Sequence, residues 1–199
     1  MSDISLRDRL RGATAERHAA LDDLIAARGV ATPDRYGAFL AASAAALTPL
    51  EIALERAGVQ NWLPDWPERT RRAALARDLI ALGLEAPSSP GAFVPSRSFG
   101  VGLLYTLEGS RLGGRVLARR VRDAGPDLPV AYLTHGQAGE AWRVFLAWLE
   151  AQSVGIRTDA AEAGARYGFR YFSDAFESRA PVGARSGALN VRGGARGRV

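Results

Sequence analysis

The sequence predicts an all-α, single-domain, multi-helical bundle, and three features of the chain lead to that expectation. Alternation of apolar and polar residues with a period of two, the mark of a half-buried strand, is nowhere sustained. β-Branched residues are few. Helix-capping residues and glycine stops recur instead at the ends of apolar-periodic segments, which is the pattern of successive helices.

The first two helices have the clearest boundary signals. Ser5 and Asp8 form a capping box, and Gly29 supplies a stop. Thr32 is then an N-cap followed by Pro33 in the first helical position. Similar signals mark the later elements. The six expected helices span residues 5–28, 33–57, 68–82, 98–124, 134–153 and 158–179.

The irregular segments are identified by their composition. Residues 84–97 contain three prolines and three serines and are predicted to be a surface loop. Thr134 with Gln137 is a second capping box, which predicts the start of the fifth helix. Residues 180–199 are rich in glycine and arginine, and we expect a disordered tail there. The chain therefore divides into a helical domain, residues 1–179, and this tail.

Composition excludes several classes of chemistry. The chain has no cysteine, so a disulfide framework, a zinc–thiolate site, an iron–sulfur cluster and a thiol nucleophile are all ruled out. It has two histidines, too few for a three-histidine zinc site, and no lysine for a Schiff base. The net charge of +5 falls to +1 without the last twenty residues, which hold four arginines and no acid. The basic character thus belongs mostly to the tail, and we expect no specific binding of nucleic acid.

The sequence also carries no sign of export or membrane insertion. The N-terminal residues include Asp3 and Asp8 and lack the apolar region of a signal peptide. The longest apolar stretch, near residues 38–47, falls well short of the ~18 residues that span a bilayer. We therefore expect a soluble cytoplasmic protein.

The first helix carries a histidine close to its apolar face. On a helical wheel His18 lies at the edge of the arc formed by the leucines and Ile25 of this helix. A histidine there is either a core residue with both ring nitrogens paired or an axial ligand to a metal or haem. Arg11 lies two turns earlier on the same face, ~10 Å away, and is either a solvated arginine or a partner for a carboxylate at the rim of a flat ligand. His135, the other histidine, is expected to be exposed.

The fourth helix is unusual for its glycines. Gly109, Gly113 and Gly114 lie in mid-helix, where each costs about 1 kcal/mol relative to alanine. Something must therefore require a missing side chain at these positions. The pattern is explained equally well by close packing of two helices and by close approach of the backbone to a flat ligand.

Together the two segments resemble a known family. The stretch LRGATAERHAALD, residues 10–22, resembles the proximal helix of haem oxygenases, in which a Leu-Arg/Lys-x-x-Thr-x-x-x-His pattern carries the histidine that binds iron. The stretch LYTLEGSRLGG, residues 104–114, resembles the glycine-rich distal helix of the bacterial members. The order and separation of the two motifs match as well. The chain is most similar to the biliverdin-producing branch that is associated with bacteriophytochromes.

The resemblance implies roles for individual residues on the proximal side of the haem. His18 would be the proximal ligand of the iron. Arg11 would lie near the haem propionates. Arg143, in the segment AWRVFLAW, would lie on a helix that sends a further basic group toward them, although an ordinary solvated arginine explains it equally well.

On the opposite, distal side the resemblance implies a wall made of glycine backbone. Gly109, Gly113 and Gly114 would form this wall. Many members have an aspartate after the first distal glycine, where it orders water beside bound oxygen, and this chain has Ser110 instead. We therefore expect the water here to be organised in another way.

The activity implied by the resemblance is the oxidative opening of haem b to biliverdin, CO and ferrous iron. Haem would be both the substrate and the centre that activates O2. The electrons would come from an external donor such as an acidic ferredoxin or a reductase, and a bacteriophytochrome is a possible acceptor of the biliverdin. Two alternatives remain at the level of sequence. One is a haem carrier or sensor on the same fold that has lost catalysis through Ser110. The other is a helical interaction domain in which His18 is a core residue.

Overall fold

The structure is a computed structural model, which describes residues 4–87, 93–125, 127–136 and 138–178. These residues form helices joined by short connections, and no strand occurs among them. The predicted tail, residues 180–199, lies outside the described residues, as do Gln137 and Arg179. The helices are α1 (Leu6–Arg28), α2 (Pro33–Arg56), α3 (Trp66–Arg69), α4 (Arg72–Ala81), α5 (Arg97–Ala124), α6 (Ala138–Gln152) and α7 (Thr158–Glu177), with short 3-10 turns at Val59–Asn61 and Ser153–Gly155.

The expected boundaries of α1 and α2 are confirmed within a residue. The Ser5 hydroxyl accepts a hydrogen bond from the Asp8 amide at 3.1 Å, and Gly29 ends α1 with a φ of 69°, in the region that favours glycine. Thr32 caps α2 by accepting from the Arg35 amide. These signals are local, and the fold leaves them unchanged.

Two other boundaries were predicted wrongly. The expected third helix is broken into α3 and α4, because the carboxylate of Glu51 on α2 accepts hydrogen bonds from the backbone amides of Arg71 and Arg72 and so caps α4 from outside. The fifth helix begins at Ala138 and not at Thr134, whose hydroxyl donates to the Val130 carbonyl within a turn. In the first case a distant partner decides where the helix begins, and in the second a local turn uses the side chain that was expected to cap the helix.

The core lies around α2. Contrary to the expectation that the longest apolar stretch is too short, this helix is long and apolar enough to cross a membrane, by length and composition alone. In this fold, however, 72% of its most apolar window is buried inside the bundle, so α2 is a core helix. Helix α7 packs against both α1 and α5. Its contact with α5 is backbone to backbone, since a Cβ on Gly102 would collide with the Ala161 carbonyl and one on Gly164 with the Phe99 carbonyl. Helix α7 thus holds α1 and α5 in place on two sides of a cavity.

Candidate functional site

A cavity of about 950 Å³ lies between α1 and α5 and is floored by aromatic residues of α7. A volume of this size accommodates a large organic ligand. Helix α1 provides one wall with Arg11, Thr14 and His18, and α5 provides the opposite wall with residues 105–120. Three phenylalanines of α7 lie at its base: Phe169, Phe172 and Phe176.

His18 lies on the α1 wall with its side chain 60% exposed, and the prediction that it points to the margin of the core is confirmed. The interpretation of His18 as a core residue with both nitrogens paired is wrong. Its Nδ1 lies 3.0 Å from an Asp22 carboxylate oxygen, whereas Nε2 has no hydrogen-bond partner within the described residues. A carboxylate at Nδ1 favours the tautomer that leaves the Nε2 lone pair for a metal. The ring also contacts Phe169, at 5.6 Å between ring centres.

The three glycines of the distal motif have different surroundings, and none of them packs closely against the backbone of a second helix. A Cβ built on Gly113 meets no atom within 4 Å, and one on Gly109 meets only the Trp142 ring, at 3.7 Å. A Cβ on Gly114, by contrast, would lie 2.7 Å from the Leu133 carbonyl oxygen. Gly109 and Gly113 therefore keep the cavity open, while Gly114 allows a loop to pack on the helix.

Ser110 also lines the cavity, and a buried arginine holds its side chain. The Ser110 hydroxyl donates to the Leu107 carbonyl at 2.7 Å and accepts from Nη2 of Arg71 at 2.9 Å. Arg71 is only 3% exposed, and its Nη2 also donates to the Leu107 carbonyl. The single proton of the hydroxyl is thus used, and one acceptor position on its oxygen remains for a water molecule.

A buried network of charges continues from this wall into the bundle. Glu108 is 1% exposed and accepts from Arg69 at 2.6 Å and from Arg111 at 3.0 Å. Burial lowers the pKa of Arg111, with a further contribution from the charge of Arg71. His135 lies at the edge of the network with Nδ1 3.4 Å from Arg111, and burial together with Arg111 lowers its pKa. His135 is therefore half-buried, and the expectation that it is exposed was wrong.

The predicted anchoring arginines have different positions. Arg11 is exposed on the cavity wall and makes no ion pair within the described residues, and Arg7 of the preceding turn lines the same end. Arg143 does not line the cavity. It forms a bidentate pair with Glu140 on the surface of α6, at 2.5 Å and 3.1 Å, and this pairing lowers the pKa of the Glu140 carboxyl. The residue beside it, Trp142, is the one that reaches the cavity.

The structure thus brings six of the seven sequence-predicted residues to one cavity and leaves Arg143 outside it. The sequence reasoning did not identify Arg71 or Tyr132, which lie at the distal wall with the guanidinium 5.4 Å from the ring centre. The available signal was weak, because an arginine in an arginine-rich chain gives no hint that it is buried. Within the described part of the chain no cluster of three or more histidine or carboxylate side chains is placed to hold a metal ion.

Comparison with known proteins gives the following matches. In a scan against models of protein families, no model matches this chain. A curated haem oxygenase from Xanthomonas campestris pv. campestris (strain 8004) is 40% identical over 112 residues, which are 54% of this chain and 67% of that protein.

Two solved structures are similar over most of their length. The NO- and CO-bound haem oxygenase from Neisseria meningitidis superposes with a TM-score of 0.73 and 21% identity, covering 88% of this chain and 92% of that chain. The haem oxygenase from Leptospira interrogans superposes with a TM-score of 0.68 and 18% identity, covering 88% of this chain and 100% of that chain. At these identities the two structures establish the fold that this chain shares with them.

Proposed function

The chain belongs to the haem oxygenase family, and on that premise we propose that it opens haem b oxidatively to biliverdin, CO and ferrous iron. It is thus an oxidoreductase that degrades haem. Haem is the substrate, and when bound it supplies the iron at which O2 is activated. The observation that carries the proposal is the placement of His18 and Gly113 on opposite walls of one cavity of about 950 Å³.

On the proximal side, His18 is assigned as the iron ligand. Its Nε2 has no hydrogen-bond partner among the described residues. Asp22 holds the other ring nitrogen, Nδ1, and this contact orients the imidazole and strengthens Nε2 as an electron-pair donor to iron. Arg11 is assigned to the propionates, because it lies on the same wall and no carboxylate of the described chain neutralises it. A buried or half-buried carboxylate of the ligand would form a charge-assisted hydrogen bond with it. Arg143 has no part in the assignment, since Glu140 pairs with it outside the cavity.

On the distal side, the chain contributes backbone and one hydroxyl. Gly109 and Gly113 present no side chain to the cavity, so a flat ligand can lie against the helix and have most of its edge shielded there. The Ser110 oxygen, fixed by Arg71, retains one acceptor position for a water molecule. We propose that such a water supplies protons to the reacting oxygen, as a general acid requires.

The proposal also includes the electron donor, the acceptor of the product and the location of the enzyme. Electrons come from an external protein such as a ferredoxin or a reductase. A bacteriophytochrome is proposed as one acceptor of the biliverdin, and the cytoplasm as the location. The proposal includes neither a membrane nor a specific nucleic acid as a partner. The alternative of a haem carrier without catalysis is not favoured, because the curated relative is itself a haem oxygenase.

One absorbance experiment tests the proposal. Hemin is titrated into the purified protein, and ascorbate is then added in air. We expect a saturable shift of the Soret band on binding and its replacement by a broad bilin band in the red. His18→Ala is expected to lose the Soret shift of the histidine-bound haem and the turnover, whereas Arg143→Ala, which changes a surface residue outside the cavity, should retain both. A Soret band that persists in the wild type under ascorbate and air would refute catalysis, and the lack of a saturable shift would refute haem binding.

A further inference from the structure

The outer face of α5 carries a row of exposed arginines directly behind the glycine wall. Arg115, Arg119 and Arg122 follow each other at intervals of four and three residues and so share one face of the helix. Arg122 lies nine residues after Gly113, which at 3.6 residues per turn places it about 180° around the axis. The same helix therefore presents bare backbone to the cavity and positive charge to the outside.

These arginines line a groove of about 560 Å³ between α5 and the loop that contains Thr134. Within the described residues none of the three makes an ion pair. The groove holds a single carboxylate, that of Asp123. Asp123 follows Arg119 by four residues, the order that is less favourable for a pair on a helix. The groove is thus a concave surface with an excess of positive charge.

The stability of the helix does not account for this charge. Arg122 lies in the last turn of α5, where a cation interacts favourably with the helix dipole. Arg115 lies more than two turns before the end, beyond the reach of that effect, and like charges four residues apart, as in Arg115 and Arg119, destabilise a helix. A bound partner with complementary charge would offset this cost.

The position of the groove indicates what kind of partner it suits. An α-helix with its side chains is about 10–12 Å across, and here one side has no side chains at Gly109 and Gly113. Arg115 follows Gly113 by two residues and lies on the far side of the helix, so a protein docked at this end of the groove is separated from a ligand in the cavity by the width of one helix. Arg7, Arg11 and Arg120 are exposed cations that line the cavity itself, and the propionates of the substrate compete for Arg7 and Arg11.

We propose that the groove formed by Arg115, Arg119 and Arg122 is the docking site of an acidic, one-electron donor protein. In this step one electron leaves the reduced centre of the donor, which is oxidised, and reduces the ferric haem iron to ferrous. The inference rests on the proposed function for the identity of the electron acceptor. The groove itself and its charge do not depend on that function.

The test uses a reduced plant-type [2Fe–2S] ferredoxin as the probe, kept reduced by its reductase and NADPH. The double variant Arg115→Ala/Arg119→Ala is compared with Arg77→Ala/Arg170→Ala, which removes the same charge from exposed sites outside the groove. We expect the groove variant to raise the KM for ferredoxin about tenfold at low salt and to flatten the salt dependence of kcat/KM. The control variant should stay within about twofold of the wild type, since its charges lie outside the interface.

Two further measurements separate this inference from the proposed function. The rate with ascorbate, which needs no docking site, should be equal in all three proteins. If ascorbate gives no turnover even in the wild type, the proposed function fails, but calorimetric binding of ferredoxin to the haem-free proteins still tests the groove. Equal ferredoxin KM and equal binding in the groove and control variants would overturn the docking site, as would a larger loss in an Arg7→Ala variant.

Discussion

The substitution Gly113→Ala is expected to have opposite effects on the stability of the haem-free protein and on haem binding. A Cβ at this position meets no atom within 4 Å, so the folded chain accommodates it without strain. Alanine is favoured over glycine in a helix by about 1 kcal/mol, and the haem-free variant should be more stable by that amount. The added methyl group, however, occupies the space in which the proposed ligand lies against the helix.

The expected loss of haem affinity follows from the cost of overfilling a packed contact. Such a cost is typically about 1–3 kcal/mol, which corresponds to a roughly 5- to 150-fold higher Kd. Gly12→Ala is the matched control, since Gly12 is also an open helical position but does not line the cavity. It should gain similar stability and bind haem as the wild type does. Gly114→Ala should instead destabilise the fold, because its Cβ would lie 2.7 Å from the Leu133 carbonyl oxygen.

Thermal or urea unfolding of the haem-free proteins and hemin titration followed at the Soret band provide the two readouts. The reasoning predicts that Gly113→Ala combines raised stability with weakened haem binding. If Gly113→Ala binds hemin as tightly as Gly12→Ala, the helix backbone is not a wall of the haem site and the explanation of the glycine is refuted. If it lowers stability in the absence of haem, the position is not open as described.

Three further predictions concern the distal wall. Glu108→Gln should lower the free energy of unfolding by about 3–5 kcal/mol, because it leaves two buried arginines without their shared carboxylate; urea unfolding measures it, and a loss below about 1 kcal/mol would mean that the network is dispensable. Ser110→Ala should cost about 1 kcal/mol of stability and slow bilin formation in a single turnover, and an unchanged rate would rule out the water-holding role. The pKa of His135 is lowered in the folded state, so near its ordinary value of 6.5 the folded protein binds fewer protons than the unfolded chain does. The free energy of unfolding should therefore fall as the pH drops from about 7.5 to about 5.5. In His135→Gln the urea midpoint should change less with pH over that range than it does in the wild type. An equal change in the two proteins would show that His135 does not cause the loss of stability.

The parts of the fold that the sequence predicted correctly are those that depend on neighbouring residues. Ser5 caps α1 through the amide three residues on, and Gly29 ends the helix through its own backbone conformation. The broken helix before α4 could not be predicted in this way. There the deciding group is the Glu51 carboxylate, which lies twenty residues earlier in the chain and reaches the break only in the folded bundle.

The same distinction applies to the site. The sequence pattern singled out His18 and the glycines, but each allowed two explanations. For the glycines, the surroundings that decide between them come from other elements. Leu133, in the loop before α6, makes Gly114 a packing residue, while the empty space beside Gly113 makes it part of the cavity. Arg71 was missed because its burial results from contacts with Leu107 and Ser110, which lie more than thirty residues later in the chain, and leaves no periodic trace in the sequence.

The central claim is that this chain converts haem to an open-chain bilin, and counting the products of one turnover tests it most directly. The hemin complex is reduced with ascorbate in air, and the CO, iron and biliverdin released are measured for each haem consumed. The account predicts one of each per haem in the wild type and none in His18→Ala. Haem that disappears without an equal amount of CO and bilin, or that remains intact, would contradict it.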